Sequence, residues 1–98
     1  EAKAFSAKFK AKHGADPDLY SAWSYAGMHL LKHAIEKAGS LDSEAIRKSI
    51  LATRGLKGIE GEYHFDASGD GLHGYSIVRN DKGRLTFIRH IEFTSEVK

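Results

Sequence analysis

The stretch GIEGEYHFDASGDG, Gly58 to Gly71, decides how the rest of the chain is read. Its first half alternates: Ile59, Tyr63 and Phe65 are apolar, while Glu60, Glu62 and His64 between them are polar. A side-chain period of two describes a half-buried β-strand. Its second half places Asp66, Ser68 and Asp70 at alternate positions with Gly71 behind them, as a calcium-binding EF-hand loop begins. Such a loop must close on a bidentate Glu, and that position is occupied by Ile77. It also needs a helix on either side, whereas both flanks here alternate as strands. Asp bonds nearby backbone groups and Gly supplies positive φ, so the segment reads as a hairpin turn.

Outward from this point the pattern differs on the two sides. Toward the C-terminus the strand period continues through YSIVRN (Tyr75 to Asn80), an NDKG turn, and RLTFIRHIEF (Arg84 to Phe93). Toward the N-terminus the spacing becomes helical. Residues 2–12 carry Phe5 and Phe9 one turn apart, with lysines elsewhere and Gly14 as the stop. Asp16-Pro17-Asp18 opens a second helix, with Asp16 as the expected cap and Pro17 in the first turn, and Gly39-Ser40 ends it after Ala38. Its apolar arc of Tyr20, Trp23, Gly27, Leu30, Leu31, Ala34, Ile35 and Ala38 suits a central helix packed on a sheet or between neighbours. A third helix starts at Asp42 and ends near Gly55, with Ile46, Ile50 and Leu51 on its inner side. Leu41 and Ile46 have the spacing of a hydrophobic staple. The predicted order is α-α-α-β-β-β, without repeats.

Composition narrows the function classes. The 98 residues are 41% hydrophobic and 29% charged, enough for one small domain. No apolar run approaches the roughly 20 residues of a membrane helix. A net charge of +2 with dispersed lysines argues against nucleic acid, and KFKAKH (Lys8 to His13) fits a solvated helix face. The absence of cysteine excludes disulfides and thiolate metal sites.

No catalytic constellation or cofactor motif emerges. His29 and His33 are one turn apart, but Leu-Leu-Lys lies between them rather than the pattern of a zinc protease, and solvated histidines are the expected reading. His64 and His73 flank the turn without an evident third ligand. The serines sit at helix edges and turns, outside any nucleophile elbow. Glu60 and Glu62 share one strand face, which reads as solvated. GLKGIEG (Gly55 to Gly61) lacks the Lys-Ser/Thr of a phosphate loop and precedes a strand.

Taken in order, the FSAKFKAKHG helix, the DPD entry to a helix carrying YSAWSYAGMHLL, AIEKAGSLDSEAIRKSI, the GIEGEYHFDASGD strand and turn, and the YSIVRNDKGRL hairpin resemble the C-terminal part of type I periplasmic solute-binding proteins. These are the leucine/isoleucine/valine-binding proteins and their relatives. The resemblance covers nearly the whole chain. It implies an α/β class, namely a partial periplasmic-binding-protein type I fold ending in antiparallel strands. Family members have two lobes around a cleft and this chain matches only their tail, so its abrupt start, with neither Met nor a signal peptide, is expected of truncation. By the same resemblance, residues 1–73 belong to the first lobe and the strands in 74–98 cross toward the second.

The resemblance further implies a ligand-binding position at the start of the second helix. Tyr20 is the matching residue, with Trp23 and Ser24 beside it; both rings also lie on the apolar arc and would serve equally as core. The parent protein would be extracytoplasmic and non-catalytic. It would capture a small solute, an amino acid or an aromatic or polar molecule, and pass it to an ABC permease. Exposed apolar faces and free strand edges lead to the expectation that the chain alone forms a homodimer. The alternative from another class is a self-standing α+β dimeric interaction or regulatory module.

Overall fold

A computed structural model describes residues 1–72 and 74–91. Three helices, α1 (Ala2–His13), α2 (Leu19–Ala38) and α3 (Ser43–Leu51), precede five strands, β1 (Leu56–Gly58), β2 (Gly61–Phe65), β3 (Gly71–Leu72), β4 (Tyr75–Asp81) and β5 (Arg84–Ile91). The expected order therefore holds, with two short strands added around β2. His73 and the Glu92–Phe93 end of the expected last strand lie outside the described residues.

Local chemistry sets the helix boundaries. Gly14 and Gly39 end α1 and α2 in the left-handed conformation, at φ 72° and 61°. The cap of α2 is Asp18, not Asp16. The Asp18 carboxylate accepts from the Ser21 N–H at 2.7 Å, whereas Asp16 pairs with Lys10 at 3.1 Å. With Asp16 drawn back to α1, Pro17 stands before the helix rather than in its first turn. Asp42 caps α3 by accepting from the Ala45 N–H at 2.9 Å. The staple expected beside it is absent, because Leu41 is 83% exposed.

The strands form two separate antiparallel groups. β1, β2 and β3 make one sheet in that order, with Leu56 opposite Tyr63 and Phe65 opposite Gly71. Asp66 closes the β2–β3 turn: one of its carboxylate oxygens accepts from the backbone N–H groups of Ser68 and Asp70, each at 2.9 Å. That oxygen is thus committed to the turn itself. β4 and β5 form a hairpin whose register jumps from Ile77↔Arg89 to Val78↔Phe87, leaving Ile88 as a bulge. Lys82 and Gly83 turn the hairpin with φ 53° and 88°. Two successive positive φ values match a tight turn to the right-handed twist of the strands.

Little of this chain is interior. Phe5, Ala26 and Ala34 are the buried apolar residues among those described, and Thr53 is the buried polar one. The Cα radius of gyration is 15.9 Å, against about 13 Å for a compact domain of this length, and the molecule extends 48 × 40 × 17 Å. It is a slab. α2 packs chiefly on α3, and α3 touches β2, whereas the hairpin's main contacts are between its own strands. The arc expected to be enclosed on α2 is only partly covered: Ala34 is buried, but Tyr20, Trp23 and Leu31 are exposed.

Two side chains tie the helices to the strands. Arg54 donates to the carbonyls of Leu51 at 2.9 Å and Thr53 at 2.7 Å, and with its other nitrogen to the Phe65 carbonyl at 3.1 Å. It satisfies carbonyls left unpaired at the end of α3 and carries that end onto β2. The second tie runs from the Trp23 indole N–H on α2 to the Glu60 carboxylate in the β1–β2 turn. α1 is held more lightly. Its anchor is Phe5, whose ring lies 4.7 Å from Tyr25 and 5.7 Å from Phe9.

Replacing Phe5 by Ala should therefore release α1 from the slab, at a cost of roughly 3 kcal/mol. Amide hydrogen exchange checks this: residues 2–13 are expected to lose protection while α2 and α3 keep theirs.

Candidate functional site

The first turns of α2 carry the most conspicuous exposed aromatic group. Residues three and four apart on a helix share a face, so Tyr20, Trp23 and Ser24 form one cluster. Tyr20 is 71% exposed and Trp23 47%, and Ser24 is exposed between them. The two rings meet edge to face, with centroids 5.9 Å apart and planes at 89°. Quadrupole attraction favours this arrangement, which fixes one ring against the other without enclosing either. The result is a ledge with apolar area and polar tips.

Glu60 orients the ledge. Read as part of a solvated strand face, it instead lies in the turn between β1 and β2 and accepts the Trp23 indole N–H. No local pattern announces a contact between residues 37 apart in sequence. The same carboxylate acts on Tyr63, whose phenol is pushed above its usual range first by burial and then by the Glu60 charge. The Tyr63 hydroxyl is buried without a hydrogen-bond partner among the described residues, and its ring lies over Gly58, where any Cβ would collide with it. Gly58 thus allows the ring to lie flat on the turn that presents Glu60.

Below the ledge, Asp18 secures the start of α2. Hydrogen bonds from the Ser21 hydroxyl, then from the Ser21 backbone N–H, hold its carboxyl below the ordinary carboxylate range. Further along the same side of α2 lie Gly27 and the exposed Met28 and Leu31, so the apolar surface continues from the ledge down the helix. The Ser21 hydroxyl beside Tyr20 donates to the Asp18 carboxylate and so belongs to the helix cap. Among the described residues, no three His, Asp or Glu side chains converge as ligands for an ion. His29 rests on the Tyr25 ring at 4.4 Å, on the other side of the helix. Chemically the ledge can offer contact area, two aromatic edges and a hydroxyl, which is the equipment of one wall of a binding cleft.

The sequence pattern of the periplasmic binding protein family matches residues 1–84. Leu/Ile/Val-binding protein homolog 1 of Brucella abortus (strain 2308) is 33% identical to this chain over 71 residues, and that of Brucella suis biovar 1 is 32% identical. In both cases the match covers 71% of this chain and 19% of the relative. Among solved structures, a leucine binding protein LivK from Thermotoga maritima aligns with a TM-score of 0.78 and 33% identity, over 93% of this chain and 26% of that one. The chain thus spans about a fifth of the length of the curated relatives it matches.

The cap beneath the ledge titrates. Because the folded-state pKa of Asp18 is depressed, its stabilisation is fully present above the unfolded value and is lost as pH falls through the folded one. Glu44, lowered by its hydrogen bond from Arg47, acts in the same direction at the start of α3. Helix content by circular dichroism is expected to hold at neutral pH and to fall below about pH 4. Asp18→Asn, which keeps a capping oxygen without the charge, should flatten that fall.

Proposed function

This chain belongs to the periplasmic binding protein family, and from that premise we propose that it forms part of an extracytoplasmic protein that captures a small solute and delivers it to an ABC importer. The reading is of a binding protein without catalysis. The observation that carries it is the exposed Tyr20–Trp23 ledge, which presents aromatic surface on a family fold. An amino acid with an apolar side chain is the solute class, in keeping with the leucine-binding names of the relatives.

In this reading Tyr20 contacts the solute, Trp23 shapes the wall and Ser24 offers a hydroxyl. Residues 1–73 form part of one lobe, and the strands from Gly74 onward lead toward the other. Closure of two lobes would surround the solute and present the loaded form to the permease. Support for this division comes from the hairpin. Tyr75, Ile77 and Ile91 lie on one face and Val78, Leu85 and Phe87 on the other, and all six are more than 40% exposed. A strand pair apolar on both sides calls for a partner on each, since an isolated hairpin is marginal in water.

Trp23 is the only tryptophan, so intrinsic fluorescence reports directly on the ledge. In a two-lobed protein containing this segment, leucine, isoleucine, valine and aromatic amino acids should be screened by Trp23 emission and calorimetry. One of them is expected to bind with a change in emission, and Tyr20→Ala should weaken it roughly tenfold, the loss of one aromatic contact. The 98-residue chain alone is expected to show neither signal. Failure of every solute to bind the two-lobed protein, or tight binding by the short chain, would remove the reading.

The exposed hairpin faces also lead us to expect that the short chain self-associates, by pairing or exchanging β4 and β5 between copies. Size-exclusion chromatography with light scattering should give a dimer; a folded monomer at high concentration would count against it.

A further inference from the structure

A concave surface with chemistry on it lies away from the ledge. A groove of about 440 Å³ runs between α1, α2 and the β1–β2 strands. It lies on the other side of α2: from Tyr20 to His29 is nine residues, which at about 3.6 residues per turn is two and a half turns. Its volume is within the range of small-molecule sites, roughly 300–1,000 Å³.

One wall is aromatic. Phe5, Tyr25 and His29 form a continuous run, with ring centroids 4.7 Å and 4.4 Å apart. The flanking walls carry charge. Lys8 comes from α1 and Lys57 from β1, and among the described residues neither has an ion-pair partner. A third lysine, Lys32, is engaged by Glu36 at 3.8 Å. Glu1 is the remaining carboxylate of the groove, so among the described residues Lys8, Lys32 and Lys57 face only Glu1 and Glu36.

We propose that this groove is a second binding site, for a small organic anion with a flat apolar body such as an aryl carboxylate, which lays its ring on the Phe5–Tyr25–His29 wall and its charge between Lys8 and Lys57. The physical case rests on matching both halves of the ligand. An aromatic ring gains area and edge or face contacts from three rings tilted against one another by 40° and 52°. A carboxylate gains charge-assisted hydrogen bonds from two ammonium groups that give up no existing partner to make them. A neutral aromatic or a bare small anion would use only one half. This inference does not depend on solute capture at the ledge.

Titration of the isotope-labelled 98-residue chain with benzoate, benzamide and acetate, followed by amide chemical shifts, tests it. Benzoate is expected to produce saturable shifts at Phe5, Lys8, His29 and Lys57 in the millimolar range, with benzamide and acetate at least several-fold weaker. Lys57→Met keeps the aliphatic stem and should lower benzoate affinity roughly tenfold, as loss of a hydrogen bond to a charged group does. Arg84→Met removes a cation from the distant hairpin and should leave that affinity unchanged. The proposal is overturned if benzoate gives no saturable shift, if benzamide binds equally well, or if the two variants behave alike. Shifts centred on Tyr20 and Trp23 would overturn it as well, while leaving the ledge reading intact.

Discussion

The Arg54 guanidinium joins the end of the helices to the strands. Arg54 collects carbonyls from the end of α3 and from β2, so the direction in which the chain leaves its helices is set by hydrogen bonds rather than by a core. That is the expected solution where interior apolar residues are few. With Phe5, Ala26 and Ala34 the buried apolar side chains among the described residues, burial supplies little of the orientation, and directional bonds supply the rest. The Trp23–Glu60 bond is the second such device. It couples the first turns of α2 to the β1–β2 turn, and so the aromatic ledge inherits its position from the strands.

This dependence connects the fold to its proposed use. A binding wall needs rings that are exposed yet fixed. Trp23 is fixed by its indole N–H and Tyr20 by its edge-to-face contact with Trp23, while both side chains remain exposed. Gly58 contributes at one remove, since the flat Tyr63 ring beneath the turn fits only where no Cβ is present. The same turn also borders the groove on the other side of α2, so one short hairpin supports two surfaces with different chemistry.

Most of the architecture was legible in the sequence because it rests on local signals. Gly14 and Gly39 stop helices, Asp42 caps one, and the change of period after Gly58 marks the strands. The resemblance to periplasmic solute-binding proteins added the family. What escaped was non-local. Asp16 is the expected cap of α2, but Lys10 claims it and Asp18 takes the role, and only the folded chain brings Lys10 there. β1 is three residues long and has no periodicity of its own; it exists because β2 pairs with it. Leu41 has the spacing of a staple, but its side chain remains in solvent. At the ledge, the resemblance singled out Tyr20, Trp23 and Ser24 as expected ligand positions, whereas the partnership of Trp23 with Glu60 depended on tertiary closure.

The hairpin carries one more implication, for the chain's life before it is folded. Its apolar residues combine high strand propensity with free edges, the composition from which ordered aggregates grow. Yet Arg79, Arg84, Lys82 and Arg89 interrupt every run, with Asp81 as the only acid among them. Stacking such segments in register would bring like charges within a strand spacing of each other, so the cations act as gatekeepers. The guard is electrostatic, so it weakens wherever salt or polyanions screen these cations.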